Sequence, residues 1–171
     1  ETCEFEELAY LLIHGKLPNQ AELTAYKAKL KSLRGLPAPL RAVLEQLPAS
    51  THPMDVLRTG ASTLGCLLPE KEDHDAAGAR EIADRLVASF GSMLCYWYHW
   101  SHAGHRIFVE TDDDTVGGHF LHLLHRRPPS ASWVRAMHTS LNLYAEHEFN
   151  SSTFTSRVVA GTGSDIYSSI T

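Results

Sequence analysis

The chain has 171 residues, 43% hydrophobic and 20% charged, which supplies enough apolar material for one packed domain and too much for a disordered segment. The net charge of -5, with basic residues scattered along the sequence, argues against nucleic-acid or membrane-surface partners and leaves small neutral or anionic ligands open. Cys3, Cys66 and Cys95 are odd in number and far apart, no signal peptide is visible, and no apolar run reaches roughly 18 residues, so a cytoplasmic location is expected.

The first predicted element is a helix on which Phe5, Leu8, Ala9, Leu12 and Ile13 share a face until Gly15 and Pro18 stop the pattern. Asn19, with Glu22 three residues on, reads as a capping box for a second helix carrying Leu23, Tyr26, Leu30 and Leu33. Pro37 and Pro39 break it, and a short helix with Leu40, Val43, Leu44 and Leu47 follows. Pro53 suits the first helical position after Thr51-His52, opening a helix that contains Met54 to Leu68. The polar "PEKEDHDAAG" predicts a surface loop, and a long apolar-periodic stretch then runs from Ala79 to His102. "ETDDD" supplies candidate caps for a helix holding Phe120, Leu121 and Leu124, which Pro128-Pro129 ends. Ser130 or Ser132 starts the next helix, through Trp133, Met137, Leu141 and Tyr144.

No sustained alternation with a hairpin turn appears, so the expected class is all-α, with a short strand pair around Arg106 to Val109 left open. No repeat or linker divides residues 1–171, which read as a single helical unit. The first residue lies almost inside a helical pattern, and "SDIYSSIT" starts a helix without a stop signal, which predicts a portion of a larger protein.

Several constellations invite chemistry. His99, His102 and His105, and again His119, His122 and His125, are spaced by three, so two of either set could share a metal. Without HExxH, a cysteine pair or a carboxylate at a matching offset, packing or surface histidines are the better reading, and no metal is assigned. "GTGSD" at 161–165 lacks the lysine and preceding strand of a phosphate loop and reads as a bend between helices. "YWYHW" reads as a core or interface cluster, and "NSST" as helix-capping hydroxyls in the absence of GxSxG.

Two places resist the ordinary reading. Lys31, Ser32 and Arg34 cluster just before a proline-initiated helix, where exposed N–H groups and the helix dipole favour an anion, although solvated surface charge is the default reading on composition alone. In "LYAEHEFNSSTFTSRV", residues 143–158, His147 follows an amphipathic helix, sits between two glutamates and lies close to Asn150, an arrangement suited to holding an imidazole in one direction.

"HPMDVLRTGASTLG" at 52–65, "LYAEHEFNSSTFTSRV" at 143–158, "EFEELAYLLIHGKLP" at 4–18 and "GHFLHLLH" at 118–125 together resemble the citrate synthase family over nearly the whole chain. Within it, "GSMLCYWYHW", "TDDDTVGGHFLHLLH" and "YAEHEFNSSTF" are most similar to the bacterial 2-methylcitrate synthases, which condense propionyl-CoA with oxaloacetate; acetyl-CoA and citrate synthase are the alternative. The resemblance implies a multi-helical large domain, no cofactor, and His147 as the histidine that hydrogen-bonds oxaloacetate. It places Lys31, Ser32 and Arg34 in the region that contacts substrate or the CoA phosphates. It also implies a homodimer through helices near 53–68 and 151–171, with Gly60, Ala61, Ser62 and Gly65 allowing close helix approach. The residues that do the family's chemistry, namely a histidine in a Gly-Pro-x-His-Gly turn, another in a Gly-His-Arg-like loop, an aspartate base and arginines clamping the carboxylates, have no counterpart here. "GHRIF" at 104–108 precedes His147 and does not match in chain order. No catalytic residue is therefore assigned, and a non-catalytic helical dimerisation domain is the reading from outside the enzyme class.

Overall fold

The computed structural model describes residues 3–71, 75–146 and 148–171. The helices are α1 (Phe5–His14), α2 (Gln20–Ser32), α3 (Ala38–Leu44), α4 (Pro53–Leu67), α5 (Ala76–Ala103), α6 (Val116–His125), α7 (Ala131–Ala145), α8 (Ser151–Gly161) and α9 (Ile166–Ile170). Among the described residues there is no strand, and 106–109 run without regular structure. The class is all-α, as the sequence predicts.

Local signals account for most helix starts. Asn19 accepts from the Glu22 N–H at 2.9 Å while the Asn19 N–H donates to the Glu22 carboxylate at 2.8 Å, closing the predicted capping box. Pro53 stands first in α4 behind a His52 cap, and Ser130 rather than Ser132 caps α7. For α6 the cap is Thr115, one residue past the acidic run, which leaves Asp113 free for another task. The polar loop before α5 is shorter than "PEKEDHDAAG", because Asp75 already caps the helix.

The 28-residue α5 is the axis of the fold, with α2, α3, α4 and α6 packed around it. Leu40 and Leu44 of α3, Val56 and Leu64 of α4, and Met93, Tyr96 and Trp97 of α5 form the main core. A smaller cluster of Ala9, Tyr26, Leu30 and Ala88 joins α1 and α2 to α5. Deep in that cluster Asp84 accepts from the Tyr26 hydroxyl at 2.9 Å and from the Lys29 ammonium at 2.7 Å.

The small residues of α4 serve contacts within the chain. A Cβ on Gly60 would lie 2.7 Å from the Met93 sulfur, and one on Gly65 would lie 2.9 Å from Cβ and Cγ of Tyr167. Gly60 and Ala61 are buried and Gly65 is half-buried, so of the four residues expected to bring subunits together only Ser62 is exposed. The helical period turns Gly60, Ala61 and Leu64 toward α5, while Gly65 receives α9. Gly65→Ala is expected to destabilise by about 1–2 kcal/mol, overpacking against a buried ring outweighing the gain in helix propensity. Gly60→Ala meets a flexible thioether and loses less; urea unfolding of the two variants tests the order.

The apolar stripe predicted for α7 is not a core stripe. Met137 and Leu141 are half-buried, packed where α7 passes Gly117, but Trp133 and Tyr144 are 62% and 83% exposed. α8 goes further: none of its residues is buried, Phe154 and Val158 face outward, and its substantial packing partner is α9 alone.

Candidate functional site

The segment that carries the sequence-predicted ligand contact is a sharp corner. α7 stops at Ala145, Glu146 is extended, and the Glu148 N–H donates to the Glu146 carboxylate. Glu148 and Phe149 then adopt φ of 61° and 49°, two successive non-glycine residues in the left-handed region, at a cost of about 1–2 kcal/mol each. Asn150 ends the corner by capping α8, its side-chain oxygen accepting from the Thr153 N–H at 2.8 Å. The run after the corner thus starts a helix, as expected. His147 lies outside the described residues, and the corner that flanks it is strained and bounded on both sides by polar caps.

Lys31 and Arg34 both bond to a strap formed by residues 104–115 between α5 and α6, and Ser32 between them does not. Arg34 is 1% exposed, and its guanidinium donates to the carbonyls of Thr111, Asp113 and Thr115 at 3.2, 2.6 and 3.1 Å. Lys31 donates to the Asp112 carbonyl at 2.9 Å, and the Ser32 hydroxyl turns back to the Lys29 carbonyl at 2.7 Å. In place of the expected anion, Arg34 meets three backbone carbonyls: its buried charge bonds those of Thr111 and Asp113 and shares that of Thr115 with the His119 N–H. Lys31 and Ser32 remain partly or fully exposed.

Under the strap lies a relay that sequence reading missed. The Thr111 hydroxyl donates its hydrogen bond to Asp113 at 2.6 Å, so at its 3.0 Å contact with His119 Nδ1 it can only accept. His119 therefore carries its proton on Nδ1, and its Nε2 accepts from the Ser92 hydroxyl at 3.0 Å. Asp113 also accepts a hydrogen bond from His122 Nδ1 at 2.6 Å. Burial, reinforced by the nearby Arg34 charge, pushes the His119 pKa down to about 3, so the ring is neutral. Burial opposes ionisation of Asp113, but the bonds from Thr111 and His122 prevail and hold its carboxyl below the usual range. The spacing of His119 and His122 was visible in sequence; their partners, supplied by α5 and the strap, were not.

The other histidines divide between core and surface. His99 donates from Nε2 to the Leu123 carbonyl at 2.9 Å, whereas His102, His105 and His125 are exposed. "YWYHW" is largely a core cluster. Trp97 and Trp100 donate to the carbonyls of Leu47 and Glu45, and the Tyr96 hydroxyl reaches the Glu45 carboxylate at 2.6 Å. A two-pronged bond from Arg106, with help from Tyr96, holds the Glu45 carboxyl down to about 2. Residues 161–165 form the expected bend, with Asp165 capping α9. Among the described residues no three His, Cys, Asp or Glu side chains come together as metal ligands would, and no helix is long and apolar enough to cross a membrane.

The sequence matches the family described as "Citrate synthase, C-terminal domain" over residues 1–171. The chain belongs to the citrate synthase family. A 2-methylcitrate synthase of Shewanella oneidensis is 57% identical across the whole chain, which spans 45% of that protein. A citrate synthase of Deinococcus radiodurans is 36% identical over 98% of the chain and 44% of its own length. Among solved structures, the citrate synthase of Pyrobaculum aerophilum superposes with a TM-score of 0.86 at 30% identity, over 99% of this chain and 44% of that one. The chain thus spans less than half the length of these citrate synthase relatives.

Proposed function

We propose that this chain is part of the large domain of a 2-methylcitrate synthase, the enzyme that joins propionyl-CoA to oxaloacetate and hydrolyses the resulting thioester to 2-methylcitrate and CoA. The observation that carries this reading is the 57% identity to the Shewanella protein over every residue of the chain. Oxaloacetate and the acyl-CoA are substrates, and no cofactor is required.

In the reaction an aspartate removes the α-proton of the acyl thioester while a neutral histidine hydrogen-bonds the developing enolate oxygen. The enolate carbon attacks the ketone carbon of oxaloacetate, and water then cleaves the thioester and releases CoA. Those proton-moving groups have no counterpart in the 171 residues. This chain supplies His147, which hydrogen-bonds and orients the keto-diacid from the corner that ends α7. Lys31 and Ser32 are the remaining candidates for contact with anionic substrate groups, while Arg34 acts indirectly by fixing the strap. The exposed α8, too short to be stable as an isolated helix, is suited to pairing with a second copy, and the protein is read as a cytoplasmic homodimer.

His147→Ala in the full-length protein is expected to lower kcat/KM for oxaloacetate on the order of 10²–10³-fold, the loss typical of one preorganised donor. Unchanged kinetics would overturn the assignment. The second reading, a citrate synthase, draws on the Pyrobaculum superposition; a kcat/KM higher for acetyl-CoA than for propionyl-CoA selects it.

A further inference from the structure

We propose that residues 104–115 form an acid-released strap pinned by His119: one proton taken up by this ring frees the strap from α5 and α6 while the rest of the core stays folded. The imidazole is 1% exposed, and both its nitrogens are committed, Nδ1 to Thr111 on the strap and Nε2 to Ser92 on α5. A second proton would convert Nε2 from acceptor to donor and place a second buried cation near Arg34.

The surroundings do not offer it a counter-ion of its own. From α6 itself comes His122; from the strap come Asp112, Asp113 and Asp114; from the α2 end come Lys31 and Arg34; from α1 comes Glu6. Asp113 already receives Thr111 and His122, Lys31 is paired with Asp112, and one Glu6 oxygen accepts from the Val116 N–H. The depressed pKa of His119 agrees with this arrangement. Opening the strap exposes the ring to water, where it binds a proton near pH 6.5. Below that pH the open form is favoured by about tenfold per pH unit, because it alone holds the extra proton.

Native-state hydrogen exchange of the full-length protein tests this, with protection corrected for the intrinsic exchange rate. The reporters are the amides of Gly118 and His119, which donate to the Thr115 side chain and carbonyl at the strap's end. Between pH 6.5 and 5 their protection should fall about sixteenfold, while amides of α4 and the middle of α5 hold theirs. His119→Gln should flatten the response and His122→Gln should leave it in place. A flat wild-type profile, an equal fall across core amides, or loss of the response in His122→Gln instead would each overturn the proposal.

Discussion

Arg34→Ala is expected to destabilise the protein by about 3–5 kcal/mol, read from the urea midpoint. The change strips donors from three carbonyls at once and leaves a cavity the size of a buried guanidinium. Arg34→Met, which restores much of the volume without a donor, should recover only the cavity part. Lysine should recover little more, since a single ammonium cannot span carbonyls that the planar fork reaches from two nitrogens. A methionine variant as stable as the wild type would show that the carbonyl clamp contributes nothing.

The Asp84 variants come next in size. Asp84 is wholly inaccessible, and Asp84→Ala leaves the buried Tyr26 hydroxyl and the partly exposed Lys29 ammonium without their shared acceptor. A loss of about 3 kcal/mol is expected, toward the low end for a broken buried pair because Lys29 can still reach Glu81 and water. Asp84→Asn keeps an acceptor oxygen for Tyr26 and should lose less. The carboxylate also sets the state of the phenol. Burial first, and the Asp84 charge second, raise the Tyr26 pKa far above its ordinary value. In Asp84→Asn the burial contribution survives, so alkaline titration followed by tyrosinate absorbance should show Tyr26 ionising earlier than in the wild type yet later than free tyrosine.

The sequence exposes whatever is written within one or two turns. The Asn19–Glu22 box, Pro53 at the start of α4 and the bend at 161–165 are local chemistry, and each stands where spacing places it. What depends on residues far apart in the chain escapes such a reading. Arg34 looked like an anion contact because a cationic cluster before a proline-initiated helix has that property in isolation; nothing nearby announces that residues 111–115 will fold back over it. His119 and His122 advertise a shared face but not that Ser92 and Asp113 will meet them. Trp133 and Tyr144 mislead in the opposite sense, since periodicity marks an apolar stripe without saying whether the same chain covers it.

The bend after α7 has a consequence for genetic variation. With positions 148 and 149 both left-handed, backbone shape filters amino-acid exchange there before side-chain chemistry does. Glycine or asparagine relaxes the bend, whereas valine or isoleucine, crowded at the β-carbon, is refused whatever its polarity. The neighbourhood of the proposed keto-acid contact is therefore open to small replacements and closed to branched ones.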